Sequence, residues 1–301
     1  MGQFLNRHVK NPTVKRTLDA LATSVRVLTG KEAAGRRATI FPDDVYLTSY
    51  PRSGNTWTRF LLGSLLNLNH PATFANIESR VPEIYFNADH VLRSLPRPRL
   101  LKSHEPFHPN YPRVIYIVRD PRDVAVSFYH HNVKAGIIPD DYPMDEFIPG
   151  FIVAQYDPWW GSWGDNVMSW MTMRQGRNSF LLLRYEDMQE DTPRELLKIA
   201  RFLQEAGFPG IETSPEKLAR AVELSTPERM RALEKQQSRQ YHQLRRTRQE
   251  KPFIRGAKSG AWQADLSERS VALIESTWGS IMQTLGYPLS QTLQEAAVTR
   301  H

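Results

Sequence analysis

Hydrophobic residues gather along this chain in four short, nearly unbroken runs: 44–50, 99–103 (Arg-Leu-Leu-Lys-Ser), 113–118 (Arg-Val-Ile-Tyr-Ile-Val) and 179–184 (Ser-Phe-Leu-Leu-Leu-Arg). A strand with one wet face alternates apolar and polar residues, whereas one covered on both faces does not. These runs therefore predict strands buried in a parallel sheet. Between them apolar residues return every three or four positions, over 56–68, 122–133, 162–174 and 193–205, which is helical spacing. Pro121 and Pro193 suit first helical turns, where no backbone donor is needed, and Gly207 suits a helix end.

Further helices are expected at about 214–236 and 267–285, with a loop holding Gly256 and Gly260 between them. The Pro- and Trp-rich stretch 136–163 reads as loops and short helices flanking a cleft. Strands alternating with helices give an α/β fold, here a single domain with a central, mostly parallel sheet flanked by helices. The expected division is a basic lead-in at 1–38, the domain at 39–287 and a tail at 288–301.

Composition narrows the choice of function. The 301 residues carry 39 Lys+Arg against 32 Asp+Glu, a net charge of +7 that favours anionic partners. Part of the excess lies at 239–251 (RQYHQLRRTRQEK), which reads equally as a solvated face. The absence of cysteine excludes disulfides and thiolate metal sites. The N-terminal residues lack a signal-peptide core, and no window approaches a membrane span, so a cytoplasmic protein is the expectation. Asn6 removes the myristoylation reading that Met1-Gly2 would otherwise invite.

Three stretches carry candidate chemistry. The first, SYPRSGNTW at 49–57, joins a strand to a helix, so the helix amides and dipole converge on one point. Arg52 adds a forked cation; Ser53, Asn55 and Thr56 add neutral donors; Gly54 lets the backbone come close. The P-loop spelling, with its Gly-Lys-Ser/Thr, is absent. In VIYIVRDPRDVAVSFYHH at 114–131, Arg119 ends a strand and Ser127 lies two helical turns on, within reach of one cleft. As plain structure, Asp120 would cap the helix and Arg119 would pair with a carboxylate. The third, LLKSHEPFHP at 100–109, sets Lys102 and His104 on one face at a strand end, where α/β sheets bind ligands. An imidazole with an ordinary pKa near 6.5 suits a general base.

Together with YEDM at 185–188 and FIRGAKSGAW at 253–262, these motifs occur in the order and spacing of the sulfotransferase family. The chain resembles its cytosolic, alcohol- and phenol-sulfating branch over about residues 40 to 287. The resemblance implies transfer of a sulfuryl group from PAPS (3'-phosphoadenosine 5'-phosphosulfate) to a hydroxyl or amine of a small acceptor, leaving PAP. It implies that residues Arg52, Ser53, Gly54, Asn55, Thr56 and Trp57 hold the phosphosulfate, and that Arg119 and Ser127 hold the 3'-phosphate. Trp57 and Tyr185 would flank the adenine, near a segment with Ser225, Thr226 and Met230. Arg255, Gly256, Ala257 and Lys258 would close over the 3'-phosphate. His104 takes the part of the base, Lys102 that of a stabiliser of the group in flight, and Arg52 that of a clamp on the leaving oxygen.

No metal is expected, since Arg52 and Lys102 supply the charge, and no nucleic acid is expected as partner. The rival readings are a nucleotide-dependent phosphotransferase and a basic nucleic-acid-binding module. The sequence departs from the family pattern in several places. Arg52 stands where many members have lysine, Asn55 replaces a threonine, and Pro227 replaces an adenine-stacking phenylalanine. The last loop reads Arg-Gly-Ala, and the dimerisation motif of the animal enzymes is not recognisable, which leaves the oligomeric state open. Trp159, Trp160, Trp163, Phe107, Phe147 and Phe151 are candidates for either the acceptor wall or the core.

Overall fold

The computed structural model describes residues 33–256 and 258–290. Ala257, the lead-in through residue 32 and the tail from 291 lie outside the described residues. All four apolar runs form strands: β1 (Val45–Ser49), β2 (Leu100–Ser103), β3 (Arg113–Val118) and β4 (Phe180–Arg184). They make one sheet in the order β2-β1-β3-β4, parallel at every pairing.

The lack of alternation in the sequence has a direct cause. On one face of the sheet Tyr46, Val114, Tyr116 and Val118 enter one core, and on the other Val45, Leu47, Ile115 and Ile117 enter a second. Helices cover both faces. Against the second core lie α1 (Asn55–Leu65) and, from later in the chain, residues of Thr192–Glu205 and Pro215–Glu223. Against the first lie α2 (Pro121–Ala135), α3 (Met144–Ile152), α4 (Trp163–Arg174) and residues of Glu268–Thr284. Fully burying an aliphatic or aromatic side chain stabilises by about 1.5–3 kcal/mol, so both faces are needed to hold a sheet this short.

One expected helix is two. The stretch read as 214–236 breaks into Pro215–Glu223 and Pro227–Gln237. Pro227 supplies no backbone donor, and the Thr226 side chain accepts from the Arg229 amide to cap the second helix. Of the six aromatic candidates for an acceptor wall, Phe147, Phe151 and Trp163 are fully buried core residues, while Trp159 is largely exposed.

Because the sheet is parallel, all four strands deliver their carboxyl ends to one rim. The chain leaving β1 carries Arg52, β2 is followed by His104, β3 by Arg119 and β4 by Tyr185. This convergence positions the site.

Candidate active site

One cavity opens at that rim, and most of the candidate residues line it. From the β1–α1 turn come Arg52, Gly54, Asn55, Thr56 and Trp57, and from β2 and its end Lys102 and His104. Arg119, Ser127 and Tyr185 follow, then Met230, Arg255, Gly256 and Lys258 from the C-terminal side. Ser53, Ser225 and Thr226 lie behind this wall. The Ser225 carbonyl accepts the Trp57 indole N–H at 3.1 Å, and Thr226 caps its helix.

The turn at 50–57 is built tightly. Arg52 has φ of 69° and Gly54 φ of 98°, both in the left-handed region. For a non-glycine residue this conformation costs on the order of 1–3 kcal/mol and persists only where the surrounding structure over-determines it. A Cβ on Gly54 would lie 2.4 Å from the Tyr185 ring, so only glycine lets that ring close over the turn. The Asn55 amide turns inward, donating to Ser49 Oγ at 3.2 Å, which ties the helix start to the strand end.

Two guanidinium groups meet here. Arg52 donates to Ser127 Oγ at 3.2 Å and lies over the Phe253 ring at 4.7 Å. Among the described residues no carboxylate pairs with Arg52. Burial first, then the neighbouring Arg119 charge, push its pKa down to about 10, which still leaves it a cation at neutral pH. Arg119 donates to the Arg52 carbonyl at 3.4 Å and the Lys258 carbonyl at 3.2 Å, and lies over the Tyr185 ring at 4.4 Å. Its Nε and the Ser53 hydroxyl are buried without a protein partner. Two of the plain-structure readings also hold. Asp120 caps α2, and Arg119 stands 3.9 Å from Asp123.

His104 is held in one tautomer. Its Nδ1 lies 2.8 Å from the Ser49 carbonyl, which can only accept, so Nδ1 carries the proton and Nε2 keeps its lone pair. Burial, then the Lys102 charge, hold its pKa well below the usual histidine range. The imidazole is therefore neutral at physiological pH. The Trp160 ring stands 5.7 Å away.

Several lining or supporting residues escaped the sequence reading. Asp123 accepts from the amides of Gly260 at 2.7 Å and Trp262 at 3.1 Å, fastening the last loop to α2. The available signal was a carboxylate in the first turn of the helix that follows Arg119. Gln243 reaches the cavity from inside the basic 239–251 run. That run is only partly a solvated face, since Tyr241 and Leu244 are buried. Nothing in the local pattern marks Gln243.

A family model described as the sulfotransferase domain matches residues 42–286. The chain belongs to that family. Sulfotransferase 1B1 of Canis lupus familiaris is 33% identical over 179 residues, 54% of this chain and 60% of the dog protein. Sulfotransferase 1A1 of Bos taurus is 35% identical over 182 residues, 54% of this chain and 59% of the bovine one. The match thus spans about three fifths of the relatives' length. Among solved structures, retinol dehydratase in complex with androsterone and inactive cofactor PAP aligns with a TM-score of 0.67 at 23% identity, covering 82% of each chain. A mouse sulfotransferase complexed with PAP aligns at 0.62 and 23% identity, over 82% of this chain and 87% of that one. At that identity the likeness speaks for the sulfotransferase fold. Among the described residues no helix is long and apolar enough to cross a membrane.

Proposed function

We propose that this chain moves the sulfuryl group of PAPS to a hydroxyl, or amine, of a small-molecule acceptor, with His104 as the base. One observation carries the reading: two guanidinium groups, Arg52 and Arg119, with no carboxylate on the first among the described residues and a free Nε on the second, share a cavity with a neutral imidazole. A buried cation without a counter-ion is costly unless an anion completes it. Relatives in complex with PAP have the same fold, which favours an adenosine bisphosphate over other anions.

The residues suit such a ligand. Arg52 and the first-turn amides of α1 would hold the 5' end. Arg119, Ser127, Arg255 and Lys258 would hold the 3'-phosphate, with Trp57 and Tyr185, edge to face at 5.6 Å, beside the base. When bound, PAPS supplies an activated sulfuryl group whose departure places charge on a phosphate oxygen. Arg52 keeps a fixed positive charge where that charge develops, which needs no reorganisation. His104 Nε2 takes the acceptor proton. A base with a depressed pKa is weaker, but it is wholly in its active form at pH 7. Lys102 adds a second cation beside it.

Calorimetric titration with PAP in EDTA, then an acceptor screen with labelled PAPS, tests this. Micromolar-range PAP binding without metal and transfer to hydroxyl compounds are expected. Binding of ATP with magnesium in preference to PAP would overturn the reading in favour of phosphotransfer.

A further inference from the structure

Glu83 belongs to none of the sequence motifs, yet it is packed against the site. Residues 82–84 run beside β2: the Lys102 amide donates to the Pro82 carbonyl at 2.8 Å, and the Ile84 amide donates to the Lys102 carbonyl at 3.2 Å. This bridge sets Glu83 alongside Lys102. Glu83 Oε1 comes to 2.5 Å from Lys102 Nζ, a close ion-pair contact. Both residues are almost wholly buried, at 3% and 1% exposure.

The carboxylate has two other neighbours, and neither depends on it as Lys102 does. Its Oε2 accepts from Gln243 Nε2 at 2.7 Å, a neutral contact. Arg59 Nη1 stands 3.9 Å away, but Arg59 has its own close partners in Glu78 at 2.7 Å, the Val81 carbonyl at 2.6 Å and the Tyr241 hydroxyl at 3.0 Å. Among the described residues Lys102 has one ion pair, and it is this one. A buried ammonium without a counter-charge sheds its proton rather than remain charged.

We propose that Glu83 is the positioning residue that keeps Lys102 protonated and fixed beside His104, so that the site retains its second cation; this rests on the reading of Lys102 given above. The groups facing Lys102 are Glu83 and Glu78, which favour its charge, and Arg59, which opposes it together with burial. His104, two residues on, is neutral and adds no charge of its own. Burial is the largest influence on Lys102 and pushes its pKa down, while Glu83 is the leading one in the other direction. Removing the carboxylate therefore lowers the pH at which Lys102 loses its proton.

The test uses the ligand-free, full-length protein, with the ε-carbons of its lysines labelled for NMR and the Lys102 resonance assigned by its loss in Lys102→Arg. Glu83→Gln should lower the Lys102 titration midpoint by about 1–3 pH units, the size expected of one close opposite charge. Glu83→Asp, which withdraws the carboxylate by one methylene, should lower it by less. In turnover, the alkaline limb of the kcat profile should move to lower pH in Glu83→Gln by the same amount as the Lys102 midpoint, so that the loss grows with pH and activity is regained below the new midpoint. PAP affinity should change by less than about threefold, because Arg119 and Ser127 lie elsewhere in the cavity.

Equal midpoints in wild type and Glu83→Gln, or a loss of kcat uniform across pH, would overturn the proposal and leave Glu83 a packing residue. If Glu83→Gln does not fold, the Asp variant decides alone, and an unchanged midpoint there is the overturning result. Should the wild-type protein transfer no sulfuryl group, the functional reading fails while the NMR titration still decides the Glu83–Lys102 coupling.

Discussion

The turn at 50–57 and the loop at 253–262 face each other across one cavity but are made in opposite ways. The turn is continuous with a strand and a helix. It is half-buried, strained at Arg52, and held by neighbours within a few residues, such as Asn55 on Ser49. The loop is a strap pinned at its two ends, with lighter contacts between them from Arg119 to the Lys258 carbonyl and from Ser259 to Gln189. At its start Glu234 accepts the amides of Phe253 and Ile254, and Arg231 donates to the Arg255 carbonyl at 2.7 Å. At its far end Asp123 accepts the amides of Gly260 and Trp262, and Trp262 packs beneath the Arg122 guanidinium at 3.9 Å. Between the pins, Gly256, Lys258 and Ser259 are exposed. Rigid geometry suits stabilisation of charge during reaction, and a pinned strap suits entry and release. Variants at the strand ends should therefore lose rate, and variants at the strap should lose affinity.

The largest effect tests the first half of that statement. His104→Ala should lower kcat by about 10²–10⁴-fold, the usual contribution of a general base, while PAP affinity stays nearly unchanged. Unchanged kcat with the fold intact by circular dichroism would return His104 to a structural role. Its depressed pKa sets the pH profile as well. The neutral form persists below the ordinary histidine range, so the acid limb of kcat/KM should fall well below pH 6.5. A limb centred at 6.5 would show that the base is some less buried group.

Next comes Arg52. Arg52→Ala removes a fixed charge facing the reaction and should cost about 10²–10³ in kcat, by analogy with deleting one preorganised donor. Arg52→Lys keeps the charge but loses the Nε hydrogen bond to Ser127 and the planar fork of donors, and should cost about tenfold. PAP affinity should fall much less in both. A large loss of PAP binding with kcat unchanged in Arg52→Ala would make Arg52 a mere anchor, and the contrast between turn and strap would collapse.

The same contrast explains what the sequence made legible. The turn could be read because strand, turn and helix are neighbours along the chain, and their residue types report local demands: Gly54 for a positive φ, Pro121 for a helix start, unbroken apolar runs for two-sided burial. The strap was recognised as a motif, but its fastening was not, because Asp123 sits 137 positions from Gly260 and only folding brings them together. Glu83 and Gln243 were invisible for the same reason. The aromatic stretch 136–163 misled in part, since periodicity cannot tell a core phenylalanine from one lining a cavity. Phe147 and Phe151 fill the space beneath α2 and contact Phe128.

Arg119 lies between the two regions, touching the carbonyls of Arg52 and Lys258, and its loss should be intermediate. Arg119→Ala should weaken PAP by about ten- to a hundredfold, the worth of a charge-assisted contact of roughly 1.5–3 kcal/mol. Adenosine 5'-phosphosulfate, which lacks the 3'-phosphate, should lose little. Equal weakening of both ligands would show that Arg119 does not hold the 3'-phosphate.

The smallest effect is the sharpest test of the strap. Asp123→Asn retains one acceptor oxygen and turns an amide NH2 toward the second backbone N–H, so one of the two strap bonds is lost. A neutral hydrogen bond is worth about 0.5–1.5 kcal/mol net, which predicts PAP dissociation about 2–10-fold faster with kcat within about twofold of wild type. A competing effect has the opposite sign. The substitution also removes a negative charge 3.9 Å from Arg119, which on its own would hold an anion more tightly, most visibly at low salt. The two separate in the ligand-free protein, where only a loosened strap speeds amide hydrogen exchange at Gly260 and Trp262. Faster exchange together with faster release would establish Asp123 as the strap's pin. Slower release with exchange unchanged would mean that Asp123 acts through its charge alone, and that the strap is held by its other fastenings, among them Arg119 on the Lys258 carbonyl.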